Sequence, residues 1–500
     1  MNVEMNSELK TEVNLNSRYI ISRFAERGFN IHPDAVKVLE GLKDKDLDLN
    51  ILIDRVCRTH NGAVITPDCI LNVINLMRNK TQESKPLSSG IYVTSETSER
   101  IEVKVEKDIT GNSSCEGGIE DFVLHFNSRF EKLSRILKRR VKPIPIGSLS
   151  RIKPNEAEII GIVCEVRETS SGNYLIELED KTGRINVIAT GKLREIASEL
   201  LGEEVIAVSG ILKGRNMIAN RIVFPDIPQN GKRPNKDFAI VFTSDIHFGS
   251  NAFLENSWNV FVRWLNCEVG NEYMRELAEK VKCILVAGDI VDGVGIYPEQ
   301  DKELRIIDIY GQYEEAAEHL ENIPKRIKII LSPGNHDAVR QAEPQPSLPK
   351  EFASLFPKNV IHVGNPAWVD VNGIKVLIYH GRSFDDIIMK IPRLDYSNPI
   401  GAIEEILKRR HLVPIYGGRS PLAPEKEDLL VIDEVPDVIH TGHVHTYGAK
   451  YYKGVLAINS SAWQAQTEFQ KKVNLNPMPG NVPVYGPNGK IHRLRFYKGS

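Results

Sequence analysis

Cysteine is sparse and unpatterned. Cys57, Cys69, Cys115, Cys164, Cys267 and Cys283 show no Cys-x-x-Cys spacing, which argues against a disulfide framework or a zinc knuckle and fits a reducing compartment. No apolar run reaches the roughly 18 to 20 residues that span a bilayer. The start Met1-Asn2-Val3-Glu4 lacks the basic and apolar regions of a signal peptide, so a cytoplasmic protein with no membrane partner is expected. Neither sign of charge prevails: 64 Lys and Arg against 66 Asp and Glu leave −2, and no global basic field marks a nucleic-acid partner. Any such binding must come from local patches. Aromatics are only 7 % of the residues, yet 41 % are apolar, enough to bury real cores and exclude wholesale disorder. At 500 residues, two to four folded units are expected.

From about Asn16 to Asn79, Ile20, Ile21, Phe24, Ala35, Val36, Val38, Leu39 and Leu42 recur at helical spacing, which predicts a small helical domain over residues 1–80. Residues 81–118 are rich in Ser, Thr, Glu and Gly and are expected to be a flexible linker, with a short strand near Ile101–Val105. Over 119–146, Phe122, Phe126, Phe130, Leu133 and Leu137 make one apolar helical stripe. Arg129, Lys132, Arg135, Lys138, Arg139 and Arg140 flank it, and the expectation for such a run is a solvated face.

Between 147 and 228 the pattern changes to five short alternating strands with a helix near Leu193–Leu201, which matches a small barrel resembling oligonucleotide-binding (OB) barrels. Its Lys and Arg (10) do not outnumber its Asp and Glu (12) over 148–228, and Tyr174 is the one obvious base-stacking candidate. An OB-like shape is therefore better supported than an OB-like task. Pro225, Pro228 and Asn230–Lys236 mark a linker to the remaining domain, 237–500.

That last domain holds five apolar strands that end in polar residues of one restricted kind. Phe238–Phe242 leads into Asp245-Ile-His247, Cys283–Ala287 into Gly288-Asp289 and Asp292, and Ile327–Leu331 into Gly334-Asn335-His336-Asp337. Val376–Ile378 leads into His380-Gly381, and Asp437–His440 into Gly442-His443-Val-His445. Carboxylates and imidazoles gathered at one rim of a sheet would repel or stay unsatisfied without a cation. There are enough ligands for two divalent ions. Asp, His and Asn donors without thiolate suit Mn²⁺, with Mg²⁺, Zn²⁺ or Fe²⁺ as alternatives. Such a pair activates water and clamps phosphoryl oxygens.

The ordered set DxH, GDxxD, GNHD, HG and GHxH resembles the calcineurin-like metallophosphoesterase superfamily, whose domain is a β-sandwich flanked by helices. The resemblance implies that Asp245, His247 and His445 hold one ion, that Asn335, His380 and His443 hold the other, and that Asp289 bridges them. It makes His336 the group that protonates the leaving oxygen, paired with Asp292. The order of helical domain, linker, OB barrel and α/β phosphoesterase domain resembles the small subunit of archaeal family D DNA polymerase, as does Asn459–Gln470 followed by Asn476-Pro477-Met-Pro479.

Membership of that family implies a chromosome-associated 3′-to-5′ proofreading exonuclease that acts on DNA 3′ ends and pairs with a large polymerase subunit. It leaves the N-terminal domain as a tether to other replication factors. The alternative is a catalytically silent scaffold that braces the large subunit. Arg382, next to His380-Gly381, and Arg419, in the Gly417–Pro424 loop, are candidate substrate-binding residues.

Overall fold

The computed structural model describes residues 17–40 except 26 and 28, 52–57 except 54, 64–74 except 68 and 72, 101–152, 155–229, 236–472 and 474–499. The chain forms two units, Met1–Ser88 and Ser89–Ser500. In the first, helices Ser17–Ala25 and Pro33–Glu40 bury Ile20, Phe24, Ala35, Val36 and Leu39 with Leu52, Ile53, Val56, Ile65 and Ile70, as expected from their helical spacing. Ile21, expected on the apolar face, is exposed. Leu42 and residues 81–100 of the expected linker lie outside the described residues.

The second unit contains two six-stranded sheets and a closed five-stranded barrel. One sheet runs in the order Val360–His362, Lys328–Ser332, Val281–Ala287, Ala239–Thr243, Asn481–Tyr485, Ile491–Arg495. The other runs Gly448–Tyr452, Val455–Asn459, Val438–Thr441, Ile374–Ile378, Ala367–Val371, Val103–Lys107. Alternating side chains of both sheets meet in one core: Ile240, Phe242 and Leu285 from the first, Val369, Val376 and Ile458 from the second. The opposite residues, such as Val241, Ile284 and Ile329, pack on helices Glu255–Leu265 and Ile309–Glu321. Leu377, Ile439 and Ala457 pack on Phe384–Lys390 and Pro399–Arg409. Burial on both faces explains why these strands read as unbroken apolar runs.

The barrel strands are Glu156–Glu168, Tyr174–Asp180, Gly183–Ala189, Val205–Lys213 and Asn216–Val223, with helix Leu193–Ser198 after the third. Tyr174 is half-buried and packs partly against the barrel core. One buried and one part-exposed ion pair join the barrel to the sandwich domain. Arg409 meets Glu204 at 2.7 Å and also pairs with Glu405, and Arg393 reaches Glu199 at 2.8 Å.

Two expectations need correction. Residues 101–118 are not a flexible linker. Val103–Lys107 pairs antiparallel with Ala367–Val371, Asp108 accepts the Gly364 amide at 2.7 Å, and Glu425 accepts the amides of Ser114 and Cys115. Asp108 and Ser113–Cys115 thus tie this stretch to the sandwich, while Glu102, Lys104, Asn112 and Glu116 face solvent.

Helix Ile119–Leu137 exists as expected, but its buried ridge is His125, Arg129, Leu133 and Leu137, while Phe122, Phe126 and Phe130 are half-buried. Arg129 is not part of a solvated face: its Nε lies 2.9 Å from the buried Asp428 carboxylate, which also meets His125 at 3.2 Å and His411 at 2.9 Å. Lys132 pairs with Glu427, and Arg140 donates to the carbonyls of Phe224 and Asp226. Arg135, Lys138 and Arg139 remain exposed. Among the described residues no helix is long and apolar enough to cross a membrane.

Candidate metal centre

Parallel strands deliver the site. Ala239–Thr243, Val281–Ala287 and Lys328–Ser332 run in one direction in the first sheet, and Ile374–Ile378, Val438–Thr441 and Val455–Asn459 do so in the second. Their carboxyl ends release Asp245, Asp289, Asn335, His380 and His443 on one rim. The loops turn sharply there. Asp245, His247, Asp289, His443 and His445 all have positive φ, between 49° and 71°, a region that non-glycine residues seldom occupy and that concentrates at functional sites.

The glycines of the motifs serve close approach. A Cβ on Gly334 would lie 2.6 Å from the Asp289 amide, and one on Gly442 would lie 2.6 Å from Ser244 Cβ. On Gly288, at φ 85°, it would lie 2.5 Å from His380 Nδ1.

Among the described residues three groups of donors result, each with ligand atoms within 4.8 Å of one another: two that share no residue, Asp245, His247 and His445, and Asp289, His380 and His443, and a third, His247, Asp292 and His336, that overlaps the first at His247. His247 Nε2 faces His445 Nε2 at 3.2 Å, and His445 Nε2 lies 3.4 Å from Asp245 Oδ1. His380 Nε2 is 3.2 Å from Asp289 Oδ2 and 3.0 Å from Asn335 Oδ1. Asp289 Oδ2 also lies 4.0 Å from His247 and 3.9 Å from His336, which places this carboxylate between the two groups.

The far nitrogen of each imidazole has its own partner. His247 Nδ1 is 2.9 Å from Asp292 Oδ1, His380 Nδ1 is 2.8 Å from the Ala287 carbonyl, His443 Nε2 is 3.2 Å from Asp385 Oδ2, and His445 Nδ1 is 3.0 Å from Gln470. Such partners set the tautomer and aim the near nitrogen of a metal-binding histidine. The donor set therefore fits divalent cations: imidazole and carboxylate donors converge in neighbouring groups, and the rings of His247, His380, His443 and His445 are braced from behind.

Electrostatics agrees with the crowding. Burial pushes the Asp289 carboxyl up, but His380 and His336 outweigh it and hold it well below the usual range. Burial likewise lowers His380, yet the Asp289 charge beside it carries the imidazole up to about 10. Burial pushes the Asp385 carboxyl up, but His443, Tyr396 and Arg419 together drive it down to about 2.

Asp292 is placed differently from the expectation. Its carboxylate serves His247, with Gln464 Nε2 and Gln300 Nε2 donating to it at 2.8 and 3.2 Å. His336 Nδ1 instead meets the Asp292 backbone carbonyl, at 2.6 Å. Asp337 is a brace: it accepts from the Gly334 amide at 2.8 Å and from the Tyr313 hydroxyl at 3.1 Å, and burial beside Asp289 pushes it up to about 7.

Arg382 donates to Gln341, whose own amide holds the Asn335 carbonyl, and the Arg419 side chain is exposed on a loop that Asp386 pins through the Arg419 amide. Trp463 is core, with its indole on Thr243 and its amide on the Asp245 carbonyl. Asp385, Gln464 and Gln470 escaped the sequence reading. Asp385 follows His380 by five residues, and both glutamines lie in the Asn459–Gln470 segment already singled out.

Residues 240–450 match the family model for the small B-type subunits of DNA polymerases alpha and epsilon. A DNA polymerase II small subunit from Archaeoglobus fulgidus is 57 % identical over 97 % of this chain and 99 % of its own length. That from Methanothermobacter thermautotrophicus is 47 % identical over 95 % and 99 %. That from Methanocaldococcus jannaschii is 42 % identical over 77 % of this chain and 66 % of its own.

Proposed function

This chain belongs to the family of archaeal DNA polymerase II small subunits, and on that premise we propose that it is a 3′-to-5′ exonuclease, acting on DNA 3′ ends beside a large polymerase subunit. The observation that carries the reading is the bracing of four imidazoles, each with one nitrogen held by a partner, inside donor groups that Asp245 and Asp289 complete. A scaffold with no chemistry has no use for that arrangement.

Asp245, His247 and His445 would hold one divalent ion, with Mn²⁺ favoured, and Asn335, His380 and His443 a second, with Asp289 shared. Bound there, the ions supply Lewis acidity and an activated water for phosphodiester hydrolysis that releases nucleoside 5′-monophosphates.

His336 supplies the proton. The Asp292 carbonyl fixes the hydrogen on Nδ1, so Nε2, 3.9 Å from Asp289, carries the mobile proton. Burial disfavours the cationic ring more than Asp289 and Asp292 favour it, so a proton taken up at Nε2 passes readily to the leaving 3′ oxygen. Arg382 and Arg419, on the loops beside His380 and Asp385, would bind phosphates of the strand.

The test is digestion of end-labelled DNA with Mn²⁺ by the full chain, alone and with its large subunit, comparing wild type with Asp289→Ala. A ladder shortening from the 3′ end and lost in the variant is expected. No digestion in either preparation would replace this reading with the scaffold.

A further inference from the structure

His440 is a fully buried imidazole that the chemistry above does not use. It stands on strand Val438–Thr441, before the turn that carries His443, with its ring T-shaped against Phe242 at 5.0 Å between centroids. From it a line of hydroxyls leads to the metal centre. His440 Nε2 lies 2.8 Å from Ser460 Oγ, Ser460 Oγ lies 2.9 Å from Ser244 Oγ, and the Ser244 hydroxyl is hydrogen-bonded to Asp245 Oδ2. His440, Ser460, Ser244 and Asp245 are all fully buried.

The direction of the protons along this line follows from what each atom meets. Among the described residues His440 Nδ1 has no hydrogen-bond partner. A buried N–H left without an acceptor is rarer than a buried acceptor left without a donor, so the ring hydrogen belongs on Nε2. Burial carries the imidazole down to about 3 against the pull of Asp245, which leaves the ring neutral. Nε2–H therefore donates to Ser460, whose own hydrogen must go elsewhere. The Thr441 carbonyl is farther, at 3.3 Å, and already takes the Ser460 amide at 2.9 Å, so the Ser460 hydroxyl donates to Ser244. Ser244 can reach the carbonyls of Ser460 at 3.0 Å and Ser461 at 3.2 Å, but a carboxylate is the stronger acceptor.

We propose that His440 is a positioning residue for the metal centre: through Ser460 and Ser244 it holds Asp245 Oδ2 and leaves Oδ1 as the oxygen offered to a divalent ion. The inference rests on the hydrolytic reading above and names what orients one of its ligands. The His443 amide lies 3.0 Å from both carboxylate oxygens, so the Ser244 hydroxyl is what distinguishes them. Oδ1 is the oxygen that faces His445 Nε2, at 3.4 Å. The opposite tautomer would reverse the line: Ser460 would donate to His440 and Ser244 to Ser460, and Oδ2 would lose its hydroxyl donor. Hydrogen bonds in series also polarise one another, so the donor at the far end strengthens the bond at Asp245.

Two measurements on the full chain test this. In metal-free protein carrying nitrogen-labelled histidine, long-range proton–nitrogen correlations report each ring's tautomer, and the signal absent from His440→Gln identifies His440. The Nε2–H form is expected; the Nδ1–H form or a cationic ring overturns the proposal. Calorimetric titration of Mn²⁺ reads the consequence. Ser244→Ala and His440→Phe are expected to weaken Mn²⁺ binding by about 10- to 100-fold, the usual loss when a group that orients a metal ligand is removed. His440→Gln, whose amide offers an N–H at the reach of Nε2, is expected to recover most of the wild-type affinity.

A role in packing alone would make Gln at least as damaging as Phe, because Phe keeps an aromatic ring against Phe242. Equal loss in the two variants, or affinity equal to wild type in His440→Phe, therefore overturns the proposal. Where His440→Phe does not fold, Ser460→Ala takes its place and carries the same expectation. Wild type that binds no Mn²⁺ overturns the hydrolytic reading and the positioning role together, whereas binding that His440→Phe leaves unchanged overturns the role alone.

Discussion

Asp292 and His247 form a brace behind one half of the candidate metal centre: a carboxylate oxygen lies 2.9 Å from Nδ1, and the opposite nitrogen faces His445. Burial raises the Asp292 carboxyl, but His247, His336 and Gln300 together outweigh this and hold it below its usual value. The same residue's carbonyl aims His336, so one backbone position serves both a candidate ligand and the candidate acid.

Asp292→Ala is accordingly expected to weaken Mn²⁺ binding by about 10- to 100-fold, the usual cost of removing a partner behind a metal-ligating histidine. Calorimetric titration of Mn²⁺ measures it. Affinity equal to wild type would mean that the carboxylate does not orient His247.

His336→Ala is expected to separate from it. Metal affinity should hold while exonuclease turnover drops by about 10²- to 10⁴-fold, because the ring is lost as proton donor and not as ligand. Metal titration and single-turnover digestion of the same preparation read the two effects. Loss of metal would move His336 into the ligand set.

Gly334→Ala tests the packing behind the ligands. The new Cβ would press on the Asp289 amide at 2.6 Å and on its carboxylate, and backbone on that side cannot swing away. Overpacking of this kind costs about 1–3 kcal/mol. The unfolding midpoint should fall, with Mn²⁺ affinity falling beside it as Asp289 is displaced; an unchanged affinity would show that the loop can yield.

Asp428→Ala should be severe although it lies outside the metal centre. It leaves Arg129, His125 and His411 facing one another in the interior without their shared acceptor. Stripping one member from a buried ionic group costs about 3–5 kcal/mol. Urea unfolding measures the loss, and Arg129→Met in the same chain should recover part of it by removing the stranded charge.

Glu425 gives a pH dependence with a defined sign. Burial raises its carboxyl, but Ser113, the Ser114 amide and Arg340 together bring it down to about 2. A folded-state value below the unfolded one means stability present above the ordinary carboxylate range and lost as pH falls toward 2. The thermal midpoint of wild type should drop more steeply than that of Glu425→Gln between pH 5 and about 2. Parallel slopes would show that the 108–118 strap does not depend on this charge.

The sequence by itself carried the order of the pieces and the rim residues. Unbroken apolar strands ending in Asp, Asn and His placed Asp245, Asp289, Asn335, His380 and His443 at the ends of buried strands, because a strand and the turn after it are contiguous in the chain. Alternation likewise announced the barrel, and helical spacing the helices. What tertiary structure alone decided were the pairings across long separations.

Arg129 finds Asp428 299 residues away, Asp292 is met by Gln464 172 residues on, and Val103–Lys107 joins a sheet whose next strand begins at Ala367. A periodic pattern says which face of an element is buried, but not which polar group waits on the other side. Asp292 shows the limit most clearly. The family resemblance implied Asp292 as a partner for His336, and the direction of its side chain, held by Gln300 and Gln464, turned the carboxylate to His247 and left only the carbonyl for His336.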